Sequence, residues 1–233
     1  TTAVGAAAVS TITGTAAEVA AVVTAAGEIT VAADYTATLA AGSAAAADLT
    51  AINGDTTTAV GAAAVSTITG TAAEIVAVVT AAGEITVAGN YAVTASGNTT
   101  VAQANVIDAD TSGVITATIT EADAATLVTL TGTGNAYTIT TTDASVTAAN
   151  LNTLDGLTTV NVVATASGTI TGAAADVATA ISAGTIDTAG NVITTLAAGS
   201  AAATDLTTIN ANTSVAVGAA AVSTITGTAA EIV

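Results

Sequence analysis

The chain has 233 residues, 17 carboxylates and no Lys, Arg or His, for a formal charge of −17, and it also lacks Cys, Met, Pro, Phe and Trp. That alphabet excludes thiol and imidazole catalysis, the usual zinc and haem ligand sets, Schiff-base chemistry, disulfides and the basic footprint that nucleic acid requires. The charge opposes acidic polymers and anionic membrane surfaces. The longest charge-free run, residues 206–230, is broken by Thr, Asn, Ser and Gly and does not read as a bilayer span, so no membrane insertion is expected. Without an initiating Met or a leader-like stretch, the chain reads as mature or partial.

Residues 2–19 form a phrase that returns almost letter for letter at 58–75 and 215–232. Repetition at this scale is the mark of stacked supersecondary units. Within the phrase, Thr15-Ala-Ala-Glu18 matches the capping box, in which hydroxyl and carboxylate satisfy the first amides of a helix. Val19, Val22 and Val23 continue it at helical spacing. Gly27 stands where a helix end needs a left-handed residue. Alternating text follows at 27–32 and 35–40, rich in the Val, Ile and Thr that suit a half-buried pleated surface. Ala45-Ala-Ala-Asp48 is a half-box. Strand-like text at 57–61 and 65–70 leads to a full box at Thr71–Glu74, with Gly83 after it.

Further along come boxes or half-boxes ending at Gln103, Asp123, Asn150, Asp176 (followed by Gly184), Asp205 and Glu231. Nine helix starts thus bound eight rungs of about 27 residues, paired into superrepeats of about 55, with one short rung at 103–123. A rung reads as short helix, turn, strand, corner and second strand. The expected fold is a single 1–233 domain: a right-handed β-solenoid of parallel strands with a helix or helical turn per rung. An α/β solenoid resembling leucine-rich repeats is the variant. Strands stack about 4.8 Å apart and helices about 8–10 Å, so a curved or twisted stack follows.

Three stretches carry a resemblance: 151–163 (LNTLDGLTTVNVV), 168–172 (GTITG) and 203–213 (ATDLTTINANT). They resemble repeats of very large surface or secreted proteins of marine cyanobacteria. The resemblance implies an extracellular repeat protein of structural or adhesive role and does not imply an enzyme. It supplies no functional residues.

Three patterns are candidate sites. Asp108, Asp110 and Ser112, followed by Gly113, match the front half of a calcium loop, with spaced oxygens and then a glycine turn. The twelfth position is Ile119 where a bidentate Glu belongs, and an ordinary Asp/Ser/Gly turn explains the same residues. Calcium is therefore the one cofactor considered. The fourth-position carboxylates Glu18, Asp48, Glu74, Asp123, Asp176, Asp205 and Glu231 would form a column that either attracts divalent cations or caps its own helices. The T-x-T pairs, such as Thr11/Thr13, Thr67/Thr69 and Thr224/Thr226, resemble the ranked threonines of ice-binding solenoids but recur mainly on alternate rungs.

With no visible polar cap, residues 1–13 and 215–233 read as joint surfaces. The leading expectation is a structural subunit of an extracellular filament or surface layer, partnered by its own copies head to tail. The alternatives are an adhesin or spacer segment of a giant surface protein, or a calcium-dependent binding module.

Overall fold

The computed structural model describes residues 3–25, 27–81 and 83–232. It alternates short strands and helices. Contacts cluster into two compact units, one ending at Thr118 and one beginning at Ile119.

The first unit runs β1 (Val4–Ala6), β2 (Thr11–Gly14), α1 (Ala16–Thr24), β3 (Ile29–Val31), β4 (Thr36–Leu39), β5 (Gly42–Ala45), α2 (Ala46–Asp55), β6 (Val60–Ala62), β7 (Val65–Thr71), α3 (Ala72–Thr80), β8 (Ile85–Val87), β9 (Ala92–Thr99) and α4 (Val101–Asp108), with β10 (Ile115–Ile119) at its boundary. β1 pairs with β3. A second ladder runs β2–β4–β6–β8, and a third runs β5–β7–β9–β10. The second unit runs α5 (Ala124–Leu127), β11 (Ala136–Thr138), β12 (Ser145–Thr147), α6 (Ala148–Leu157), β13 (Val162–Ala164), β14 (Thr169–Gly172), α7 (Ala174–Ser182), β15 (Ile186–Thr188), β16 (Ile193–Leu196), β17 (Gly199–Ala202), α8 (Ala203–Asn212), β18 (Val222–Thr226) and α9 (Ala229–Ile232). Its ladders are β12–β14–β16, β13–β15 and β17–β18. In the pairs among β1–β9 and among β12–β18 the strands are parallel, with partners 23–25 residues apart.

This spacing is tighter than the helix-to-helix step, and the ladders show why. Between β4 and α2 the chain inserts β5, which leaves the β2–β4–β6 ladder and starts another. β17 does the same between β16 and α8. Both insertions open on a glycine with positive φ, Gly42 at 132° and Gly199 at 128°, and both show a register shift at that glycine. β9 covers the two corresponding stretches in one strand. Long rungs therefore carry this extra stretch and short rungs, with β7 or β14 alone, do not. The alternation of helix spacing in the sequence has this cause.

Helix starts follow the local chemistry. At Thr15, Thr71 and Thr100 both halves of the capping box form. At Ala45, Ala173 and Ala202 no side chain caps, and an Asp in the first turn favours the positive end instead. One start is displaced. Asp123 is not the fourth position of a box begun at Thr120. It is itself the N-cap, its Oδ1 accepting from Thr126 N at 2.8 Å. Asp outranks Thr as a cap, and the carboxylate takes the role. Gly27 and Gly83 hold φ of 91° and 93° as expected, whereas Gly184 has no positive φ, because α7 closes on extended Ala183.

The core is built of small side chains. Helices turn Leu49, Ile52, Ile75, Ile107, Leu151 and Leu154 inward, and β4 and β10 alternate buried and exposed residues. The first residue of most helices is a buried Ala, and the glycine of the next rung's TITG phrase lies against it. A Cβ on Gly70 would come 3.3 Å from Ala46 Cβ, and one on Gly227 would come 3.2 Å from Ala203 Cβ.

Candidate functional site

The largest side chains in the core organise a feature that recurs in both units. Tyr35, Tyr91 and Tyr137 are buried, and Val192 takes the corresponding place in the second unit. About 20 residues later, after a helix, a threonine returns to each backbone. Thr56 Oγ1 donates to Tyr35 O at 2.6 Å, Thr111 Oγ1 to Tyr91 O at 2.6 Å, Thr158 Oγ1 to Tyr137 O at 2.7 Å, and Thr213 Oγ1 to Val192 O at 2.7 Å. Each hydroxyl also accepts from the amide two residues on. The bracket ties the end of one helix to the strand text of the previous turn of chain.

The phenols need partners inside, since a buried hydroxyl without one is costly. Tyr91 Oη donates to Asp110 Oδ2 at 2.6 Å. Tyr137 Oη accepts from Asn135 Nδ2 at 3.1 Å. Tyr35 Oη reaches Ile52 O at 3.4 Å and lies near the Asp55 carboxylate. Burial first, and then Asp55, push the Tyr35 phenol up to about 12. Burial, with Asp110 beside it, raises Tyr91 further in the same direction. Where Val192 replaces the tyrosine, residue 212 is Asn in place of Asp.

The predicted calcium-loop residues fall in one of these brackets. Asp110 accepts the Tyr91 phenol. Ser112 donates to Gly89 O through its hydroxyl at 3.1 Å and through its amide at 2.9 Å. Thr57 and Thr159 make the same double contact to Ala33 O and Asn135 O, in loops without the D-x-D-x-S pattern. Asp108 is the last residue of α4 and is half-buried. Gly113 is dictated by closeness, because a Cβ there would collide with the Tyr91 carbonyl. Among the described residues, no group of three or more Asp or Glu comes together as a metal site would require.

Four of the seven carboxylates in the column form caps. Glu18 Oε2 accepts from Thr15 N and Oγ1, both at 2.9 Å, and Glu74 and Glu231 repeat the arrangement on Thr71 and Thr228. These backbone and hydroxyl donors hold all three carboxyls below their ordinary value, and the Thr126 amide does the same for Asp123. These four carboxylates serve the helices they start, while Asp48, Asp176 and Asp205 lie in the first turns of theirs without a cap hydrogen bond.

Some T-x-T pairs sit in register with hydroxyl-bearing neighbours, Thr11↔Thr36 and Thr13↔Thr38 in one unit and Ser145↔Thr169 and Thr147↔Thr171 in the other, whereas Thr67, Thr69 and Thr226 also face Ala92, Ala45 and Ala202. An open polar groove of about 280 Å³ is lined by Asn53, Thr56, Thr57, Gly83 and Glu84, and Asn53 Nδ2 donates to Glu84 Oε2 across it at 3.0 Å. It brings together hydroxyls, an amide and a carboxylate, without a nucleophile beside a base.

Of the proposed joint segments, Thr1, Thr2 and Val233 lie outside the described residues. The remainder contains ladder edges. β2 ends the β2–β4–β6–β8 order, and β18 pairs with β17 in a two-stranded sheet. Val4, Val9, Ile225 and Ile232 are exposed there.

No protein-family model, curated protein or solved structure matches this chain. The brackets escaped sequence reasoning because their two ends are a whole rung apart. Their visible trace is an Asp-Thr pair whose Asp lies 20 residues after Tyr35, at Asp55-Thr56, and 19 after Tyr91, at Asp110-Thr111.

Proposed function

We propose that the chain is a self-assembling structural protein of the cell exterior, its strands and helices forming a right-handed solenoid-like coil whose copies join head to tail. One observation carries the reading: the same phrase forms a ladder strand paired on both sides at β7, but on one side only at β2 and at β18. Parallel strands with open edges template further pairing. The side chains of the recurrent polar features, the brackets and caps, are engaged with the backbone, which supports a structural role. Among the described residues no helix is long and apolar enough to cross a membrane. A charge of −17 without a single Lys or Arg repels nucleic acid and suits a saline exterior, where screening is strong.

Sedimentation velocity and electron microscopy of the purified chain across a salt series test this. Polymers with an axial repeat are expected, favoured by salt that screens the like charges. A monodisperse monomer at every salt concentration would exclude the reading. If the same text in native material belongs to a far larger covalent chain, a denaturing gel will show it, and the segment is then a spacer whose edges its own chain covers.

A further inference from the structure

We infer that the joint between copies is an overlap: residues 3–18 of one copy take the place that residues 216–231 hold on β17 and α8 of the next copy, and the displaced phrase leaves. This rests on the head-to-tail reading above and names the surface that performs it.

The two phrases are identical over these positions, and so is the interior phrase 59–74, which serves as a template. In the interior, β7 lies between β5 and β9, with Ser43↔Thr67, Ala44↔Ile68 and Ala45↔Thr69 on one side and Thr67↔Ala92, Ile68↔Val93 and Thr69↔Thr94 on the other. The amino-terminal phrase has the second set alone, Thr11↔Thr36, Ile12↔Ala37 and Thr13↔Thr38. The carboxy-terminal phrase has the first set alone, Ser200↔Thr224, Ala201↔Ile225 and Ala202↔Thr226. Each terminal phrase thus has the half that the other lacks. A β2 seated on a neighbouring β17 would have both halves, in the register the interior already uses.

Direct abutment of the two edges would instead put TIT beside TIT. β7, the interior TIT strand, has no such neighbour: its partners are the GSAA strand β5 and β9.

The glycines agree. Gly70 and Gly227 each lie against the leading alanine of a preceding helix, at Ala46 and Ala203. The nearest neighbours of a Cβ on Gly14 belong to its own Glu18 and Val19, with no alanine at the 3.2–3.3 Å found for its counterparts. Over Ala203 of another copy it would find the neighbour that its two counterparts have. α1 would then cover α8 as α3 packs on α2.

Which phrase gives way follows from burial. The first is anchored in its own unit through Ala16, Val19, Ala20 and Val23 of α1. In the last, no residue from 210 to 232 is buried. The loosely held phrase is a placeholder.

The chain contains no Cys, so introduced pairs report the joint cleanly. Neighbouring strands lie about 4.8 Å apart, within disulfide reach. Full-length Thr11→Cys/Ser200→Cys and full-length Thr11→Cys/Thr224→Cys are oxidised under assembly conditions and run on non-reducing gels. A chain ending at Ser214 is sedimented in parallel, with its melting curve to confirm folding. The overlap predicts a ladder of covalent oligomers from the first pair, monomers from the second, and assembly of the shortened chain at a lower concentration than the full one. A ladder from the second pair alone, or a folded shortened chain that stays monomeric while the full chain polymerises, overturns the overlap and leaves self-assembly standing. No ladder from the first pair in a polymerising sample does the same. A full chain that never polymerises overturns both.

Discussion

The interior phrase 59–74 and the carboxy-terminal phrase 216–231 have one sequence and two fates. Ile68 is fully buried, whereas Ile225, at the same place in the text, is 50% exposed. Val60 and Val65 are buried, while Val217 and Val222 are half-buried. The capping geometry is nonetheless common to both, with Glu74 and Glu231 each holding its threonine. Local chemistry therefore travels with the sequence, but burial is conferred by neighbours. A repeat of Ala, Val and Thr has too little apolar surface to bury itself, and its burial comes from the repeats beside it.

The sharpest break between the two copies should come from matched truncations. Ile68→Ala removes a fully buried side chain and should cost about 2–5 kcal/mol, whereas Ile225→Ala in the unassembled chain should stay within about 0.5 kcal/mol. Denaturant melts of both variants, below the concentration of assembly, measure the gap; equal losses would mean the last phrase is packed as the interior one is.

The brackets offer a second comparison, between Tyr91 and Val192. Tyr91→Phe deletes a bond to a carboxylate and should cost about 1.5–3 kcal/mol. The raised phenols also set an alkaline limit. Above pH 10, their ordinary value, unfolded Tyr35 and Tyr91 lose protons that the folded chain retains, so stability falls as pH rises toward and past the Tyr35 value of about 12. Melting temperature against pH should drop more steeply for the native chain than for Tyr35→Phe/Tyr91→Phe.

A smaller effect has the opposite sign. Thr194 of β16 is fully buried with no partner for its hydroxyl, and Ala37 occupies the same place in β4. Thr194→Val should stabilise by about 1 kcal/mol, because it removes an unsatisfied group and keeps the shape.

Smaller still is the cap. Glu74→Gln keeps an acceptor, as Gln103 does naturally against Thr100 at 3.0 Å. The native carboxylate titrates below its ordinary 4.5, so near that pH the unfolded state binds more protons and the native advantage grows with pH. The difference in melting temperature between native chain and variant should be present at neutral pH and vanish as pH falls through the lowered value. Chelation should do least: with Asp110 and Ser112 engaged in a bracket, removing calcium should leave the melting temperature unchanged.

What the sequence revealed divides along the same line as the phrases. Helix starts at Thr15, Thr71 and Thr100 were readable because a capping box closes within four residues. Asp123 was misplaced by one turn because two overlapping signals, Thr120 and Asp123, compete for one cap and the geometry favours the carboxylate. β5 and β17 were invisible as separate strands: their short GSAA text is ordinary, and only pairing with β7 and β18 defines them. The brackets were missed for the same reason, since nothing local links Thr111 to a carbonyl 20 residues back. The calcium pattern is present as text, and two of its residues, Asp110 and Ser112, hydrogen-bond within a bracket.

Text that repeats three times poses the chain a problem of address. While folding, a phrase can settle beside the wrong neighbour at almost no local penalty, since strand, cap and first helical turn would all form there. The tyrosines break the tie. Asp110 set against Val192 would lose its phenol, and Tyr91 set against the stretch around Asn212 would lose its carboxylate. Three aromatic side chains and their partners thus act as postmarks in an otherwise uniform script, and a chain stripped of them should fold into a mixture of registers.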